Sequence, residues 1–196
     1  MNYRDELARK AIHLGSAVCP LIYAWISPAL ALAGAVPVML AFIVLDVLRQ
    51  RHPGLRSWYN RWLGRLMRVH EDRRLCGASY VMIAVVVCIA VYEKPVTIVA
   101  LLFLSISDAL ASLVGLKVGG PRWFNKSVAG SATFLLSALV IALVCLPQRP
   151  IAGAVGALAA TLVEAAPLRL GRVRLDDNLL VPIVGGAVIT ALLDVG

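Results

Sequence analysis

Residues 95–117 read PVTIVALLFLSISDALASLVGLK, and this stretch decides what kind of protein the chain forms. It is long enough to cross a bilayer, since about 20 apolar residues in an α-helix span the ~30 Å hydrocarbon layer. It nevertheless carries a carboxylate, Asp108, near its middle. Six further apolar stretches flank it, at about 11–27, 28–48, 75–93, 127–147, 150–166 and 178–195. Pro28, Pro95 and Pro150 stand where tight connections would open new helices, because the missing N–H of proline is no loss in a first turn. Of the 196 residues 60% are hydrophobic and 15% charged, and the mean hydropathy is +0.84. A soluble domain is nearer half apolar and one-quarter charged. The expected fold is therefore all-α, a polytopic membrane helix bundle of about seven transmembrane helices. Residues 1–196 form a single integral membrane domain, with no room for a separate soluble catalytic domain, a receptor ectodomain or a nucleic-acid module.

The charges sort onto two sides. With seven crossings, one side receives Arg4, Arg9, Lys10, the eight arginines between 49 and 74, Lys117, Arg122, Lys126, Arg169, Arg172 and Arg174, while the other receives only Lys94 and Arg149. By the positive-inside rule the N-terminus is cytoplasmic and the C-terminus outside. The net charge of +8 thus reports orientation rather than a nucleic-acid partner. Cys19, Cys76, Cys88 and Cys145 lie far apart without a CxxC pair, so they read as packing residues. The opening Met1–Glu6 is a charged turn, and no small-residue cleavage site follows, so no removable signal peptide is expected.

Residues 49–74 are too polar to cross. Leu55, Trp58, Tyr59, Trp62, Leu63, Leu66 and Val69 recur at helical spacing opposite Arg56, Asn60, Arg61, Arg65 and Arg68. The expectation is an amphipathic helix lying along the cytoplasmic interface, with tryptophan at headgroup level and arginine toward anionic lipid. Arg73 and Arg74, at its end, are placed to meet a nucleotide phosphate. Asp46, near the end of the second span, is expected to pair with Arg49 or Arg73, and Asp176 to be solvated.

An ionisable group within a span is expensive and marks function by default. His13, Asp108, Glu164 and the pair Asp177–Asn178 all fall in the cytoplasmic half or at the cytoplasmic end of their spans. Arg9, His13 and Ser16 share one helical face, and Ser105, Asp108, Ser112 and Gly115 another. Lys126 and Ser127 follow the turn Gly119-Gly120-Pro121 and open the fifth span, where helix N–H groups could receive a phosphate or Ser127 could act as an ordinary cap. For Glu164 a salt bridge to an arginine of 169–174 stands beside a catalytic role. Carboxylates with lysine and arginine at one face of a bilayer are what a divalent cation and a polyphosphate require.

These residues also carry a resemblance. The order Arg9-Lys10-x-x-His13, Gly77-Ala78-Ser79-Tyr80, Ser107-Asp108-x-x-Ala111-x-x-x-Gly115, Lys126-Ser127-x-x-Gly130-Ser131, Glu164 and Asp177-Asn178-x-x-x-Pro182 resembles the polyprenol kinase family. That family groups dolichol kinase, phytol kinase and the CTP-dependent diacylglycerol kinase and is similar to the CDP-diacylglycerol synthases. The resemblance implies a CTP-dependent lipid kinase using Mg²⁺ at the cytoplasmic face, with a membrane lipid alcohol as acceptor. It implies Asp108 and Asp177 as metal ligands and Asp108, Asp177, Lys126 and Glu164 as the catalytic set. Arg9, Lys10, His13, Arg73, Arg74, Ser127, Gly130, Ser131 and Asn178 would serve nucleotide and phosphate. One position departs from the pattern: Ala129 stands where the family usually has Glu, and Glu164 is the nearest compensating carboxylate. A CDP-lipid synthase and an anionic lipid or nucleotide transporter are the alternatives, and the small residues of the spans also suit a homodimer.

Overall fold

The computed structural model describes residues 3–64, 75–124, 126–166, 169–170 and 173–193. Helices α1 (Tyr3–Gly15), α2 (Val18–Trp25), α3 (Pro28–Arg51) and α4 (Pro53–Leu63) form the first part. They are followed by α5 (Gly77–Val91) and by α6 (Lys94–Leu102), which runs through a π-helical turn (Phe103–Ser107) into α7 (Asp108–Val118). Two short antiparallel pairs interrupt what is otherwise helix: β1 (Arg122–Trp123) with β2 (Lys126–Ser127), and β3 (Arg169–Leu170) with β4 (Val173–Arg174). Between and after them lie α8 (Val128–Cys145), α9 (Pro150–Ala165) and α10 (Asp177–Leu193).

Among the described residues three stretches are long and apolar enough to cross a bilayer: Pro28–Arg51, Lys94–Val118 and Val128–Cys145, of 24, 25 and 18 residues. Helices α5, α9 and α10 are apolar but shorter, with 15, 16 and 17 residues. The proline starts hold. Pro28 sits in the first turn of α3 behind Ser27, whose Oγ accepts the Leu30 N–H, and Pro95 and Pro150 occupy first turns of α6 and α9.

The expected crossing 11–27 is not one helix. It breaks after Gly15, where Pro20 has no N–H to offer the Ser16 carbonyl; that carbonyl accepts from Cys19 instead, and the Ser16 hydroxyl donates to His13 O. The expected interfacial segment 49–74 also begins later than its sequence suggests. Arg49 and Arg51 complete α3, Arg49 is wholly buried, and the amphipathic helix proper is α4, which exposes Trp58 and Trp62 and buries Tyr59. Residues 65–74, Arg73 and Arg74 among them, lie outside the described residues.

The continuous rod α6–π–α7 is the centre of the bundle. Phe103 packs into one core with Phe134, Ala157, Val181 and Ile189 from α8, α9 and α10, while Leu104 packs into a second with Tyr23, Ala84, Val85 and Cys88 from α2 and α5. Small residues let the helices approach closely. A Cβ at Gly130 of α8 would lie 2.9 Å from the Ala111 carbonyl oxygen of α7, so only glycine fits that crossing. Asp46, Arg49 and Tyr59 join α3 and α4 to α5: the Asp46 carboxylate accepts from Arg49 Nη2 at 2.9 Å, from the Cys76 N–H at 2.7 Å and from the Ser79 hydroxyl at 2.6 Å, and the Arg49 guanidinium lies over the Tyr59 ring. Asp46 thus takes Arg49 as its partner and caps α5 from another helix. The four cysteines are free thiols.

Candidate active site

The site draws on five elements that are remote in sequence. Residue by residue, α1 contributes Lys10 and His13, the rod contributes Asp108 just after its π turn, β2 contributes Lys126, α9 contributes Glu164 and α10 contributes Asp177. The π turn is where the backbone N–H of Asp108 reaches back five residues to Phe103 O. Turns of this kind are rare and occur often at functional sites. Within this turn the Ser105 hydroxyl donates to Leu101 O, and Ser107 is fully buried.

Asp108 is buried and paired. Lys10 Nζ stands 2.5 Å from its Oδ2, and His13 Nε2 stands 3.2 Å from the same oxygen while its N–H donates to Leu104 O at 2.8 Å. Lys10 is itself only 5% exposed, so two opposite charges are withdrawn from solvent together. Such a pair persists because each member would be far costlier alone.

Lys126 is delivered by a tight hairpin. Gly119 ends α7 at φ +64°, Gly120 follows at φ +89°, Arg122 pairs with Ser127 and Trp123 with Lys126, and the Val128 N–H donates to Pro121 O. The left-handed backbone at 119 and 120 explains the two glycines. Ser127 caps α8, its Oγ accepting the Gly130 N–H at 3.0 Å, and the Ser131 hydroxyl accepts the Trp123 indole N–H at 2.9 Å. So Ser127, Gly130 and Ser131 stand at the start of α8 as expected, with two of the hydroxyls engaged in holding hairpin and helix together.

Lys126 Nζ lies 2.6 Å from Glu164 Oε1 and 3.5 Å from Asp177 Oδ2. Burial alone would lower its pKa, but Asp108, Asp177 and Glu164 together outweigh that and hold the ammonium charged well above the usual lysine range. Glu164 therefore finds its cation in Lys126. Its second oxygen, Oε2, is buried without a hydrogen-bond partner among the described residues. Asp176 is not merely solvated: its Oδ1 accepts the Asn178 N–H at 3.0 Å and so caps α10, leaving Asp177 to face Lys126.

A cavity of about 420 Å³ opens beside this cluster, lined by Arg9, Arg122, Lys126, Ser127, Gly130 and Glu164 among others. Its volume lies within the ~300–1,000 Å³ of small-molecule sites. Three cations and the α8 N-terminus on its walls suit a polyanion. Arg122 was counted in the sequence only as a positive-side charge. Its signal was its place in the Gly-Gly-Pro-Arg turn four residues before Lys126, where a hairpin would fold it back toward the helix start. No three His, Cys, Asp or Glu side chains converge as a metal cage among the described residues. A cation here would share its ligands with phosphate oxygens, which is how Mg²⁺ is usually held, through one or two carboxylates plus a nucleotide.

The chain is 32% identical over 151 residues to an uncharacterised protein of Rickettsia prowazekii, covering 72% of this chain and 71% of that one. It is 32% identical over 152 residues to CTP-dependent diacylglycerol kinase 1 of Schizosaccharomyces pombe, covering 72% of this chain and 66% of the kinase. Against the protein of the same name from Saccharomyces cerevisiae it is 35% identical over 101 residues, covering 48% of this chain and 35% of that one. No family model and no solved structure matches it.

Proposed function

We propose, since the chain belongs to one family with the Rickettsia protein and is homologous to two CTP-dependent diacylglycerol kinases, that it is a membrane-embedded kinase moving the γ-phosphate of CTP to the hydroxyl of a lipid alcohol. Diacylglycerol is the first acceptor to try, because it is the one those relatives' names carry; the prenol and phytol readings rest on motif resemblance alone. The observation that carries the proposal is the convergence of Lys10, Asp108, Lys126, Glu164 and Asp177 beside a cavity walled by Arg9 and Arg122.

In this reading the triphosphate lies along Arg9, Arg122 and Lys126 with its terminal oxygens toward the start of α8. Phosphoryl transfer asks little covalent chemistry of a protein; it asks for positioning and for neutralising charge on the group in flight. Lys126 does the second, and its three carboxylate neighbours keep it charged for that purpose. Asp108 and Asp177 supply oxygen donors suited to a Mg²⁺ shared with the phosphates, and the ion would screen the β- and γ-oxygens. When a nucleotide enters, Lys10 can exchange its contact with Asp108 for one with phosphate, so that lysine and carboxylate both change partner without either losing one. Asn178, in the first turn of α10, follows Asp177 and would help orient it.

In the same reading the chain crosses seven times, with α1 and α2 counted as one broken crossing, and the cluster would then face the cytoplasm. The hydroxyl then enters laterally from the inner leaflet while CTP arrives from the cytoplasm.

The test uses purified protein in detergent with Mg²⁺, diacylglycerol or a prenol, and CTP labelled at the γ- or the α-phosphate, with ATP run in parallel. Label reaching lipid from the γ-position only, and from CTP in preference to ATP, is expected. Label from the α-position would make the protein a cytidylyltransferase, and no transfer to any lipid would overturn the kinase reading.

A further inference from the structure

Four carboxylates lie at the site, and they differ in burial and in the partners they hold. Asp108 Oδ2 is shared between Lys10 and His13. Asp176 caps α10. Asp177 is a quarter exposed and lies 3.5 Å from Lys126. Glu164 differs from all of them. Its residue is 3% exposed, Oε1 is fixed by Lys126 at 2.6 Å, and Oε2 is buried with no donor among the described residues. The neighbouring hydroxyl one turn back on α9, Thr161, does not serve it, because Thr161 donates to Ala157 O at 2.7 Å. Yet Glu164 lines the cavity.

A buried acceptor lacking its donor forfeits on the order of 1–3 kcal/mol, and such an atom in a native site calls for a reason. An O–H group entering the cavity would supply that donor. We infer that Glu164 is the catalytic group that receives the proton of the acceptor hydroxyl, a role resting on the kinase reading above. The Lys126 contact holds the carboxyl group through Oε1 at the wall of the cavity, and Oε2, closed to water here, is left for a group that seats in the cavity. An alcohol entering the cavity donates to Oε2, which leaves a lone pair of its own oxygen aimed at the γ-phosphorus. As that oxygen forms its bond to phosphorus, its proton passes to Oε2 and the bond from the γ-phosphorus to the β–γ bridging oxygen breaks, the electron pair leaving on CDP. Water then removes the proton from Glu164. Lys126, held protonated, cannot do this task itself.

The proposal is tested in purified protein that transfers γ-phosphate from CTP to diacylglycerol. Glu164→Gln keeps an acceptor for Lys126 and loses only basicity. Its kcat is expected to fall ~10²–10⁴-fold, the range of general-base catalysis, with KM for CTP changed by less than about twofold. Glu164→Asp should recover part of the loss. An acceptor fluorinated next to its hydroxyl, whose proton is more acidic, should narrow the gap between Gln variant and parent by at least about tenfold. Three results would each overturn the assignment: an unchanged kcat, a raised KM with kcat intact, or recovery of the Gln variant by excess Mg²⁺, which would make Glu164 a metal ligand. If the parent protein transfers nothing, the kinase reading falls with it; if the parent transfers and Glu164→Gln keeps pace, this assignment alone falls.

Discussion

At the scale of single residues, Asp108 shows what linear sequence reveals and what it conceals. A lone carboxylate in the run from Pro95 to Lys117 is visible at once, and its expense in hydrocarbon marks it as functional. Its partner is not visible, because Lys10 is 98 positions away and only the packing of α1 against the central rod brings the two within 2.5 Å. The same holds for Glu164: Lys126 reaches it from a remote part of the chain, while the side chains of the arginines in 169–174, which its spacing suggests, lie outside the described residues. The pairing of Lys10 with Asp108 sets an expectation. Asp108→Asn should abolish phosphate transfer and also destabilise the protein by about 3–5 kcal/mol, since it leaves the Lys10 ammonium buried without its counter-charge. Lys10→Met combined with Asp108→Asn should restore most of the melting temperature in detergent while transfer stays absent. A single variant as stable as the parent would show that Lys10 finds another anion, and retained transfer would remove Asp108 from the site.

At the scale of elements, the sequence reads well where a rule is local. Proline stands in the first turn of α3, α4, α6 and α9 because its missing N–H costs nothing there, and Ser27 and Ser127 cap as short hydroxyl side chains do. It reads poorly where geometry depends on a distant neighbour or on one inserted residue. The π turn at Phe103–Ser107 leaves no mark in a pattern of apolar residues, and Pro20 looks like part of a span until the carbonyl it cannot serve is considered. Two substitutions probe how the elements are fastened. Asp46→Ala removes the acceptor of Arg49, of the Cys76 N–H and of the Ser79 hydroxyl, so a loss of about 3–5 kcal/mol is expected in detergent melting, with transfer per folded molecule unchanged. A fall in specific activity at temperatures where the variant remains folded would instead connect this clamp to the reaction. Gly130→Ala puts a methyl 2.9 Å from the Ala111 carbonyl and 3.0 Å from the Ser127 hydroxyl that caps α8. Overpacking of this kind costs about 1–3 kcal/mol, and because backbone rather than a flexible side chain must yield, α8 should shift and take Lys126 with it. A raised KM for CTP accompanying the lower melting temperature is the expected signature; unaltered kinetics would mean that the hairpin absorbs the shift.

At the scale of the whole molecule, the proposed orientation rests on charge and on where the candidate site lies. Seventeen of the nineteen lysines and arginines would fall on one side of a seven-crossing arrangement, and that arrangement would bring the site residues to the same side. At the opposite end, Lys94 donates to Ile26 O at 3.0 Å, where the ends of α2 and α6 meet, and no carboxylate accompanies it within salt-bridge reach among the described residues. A nucleotide-using site facing the cytoplasm requires this polarity, because that is where CTP is made. The polarity is measurable without any assay of transfer. In a variant lacking the four native cysteines, a cysteine at the exposed Gln148, between α8 and α9, should react with a membrane-impermeant maleimide in intact cells. A cysteine at the exposed Lys117, near the end of α7, should react only after lysis. The reverse pattern would turn the whole bundle over and place Lys126 and Glu164 outside. Equal labelling of both positions in intact cells would mean that an even number of crossings separates them, and then the charge segregation that motivates seven would have to be abandoned along with the entry of CTP from the cytoplasmic side.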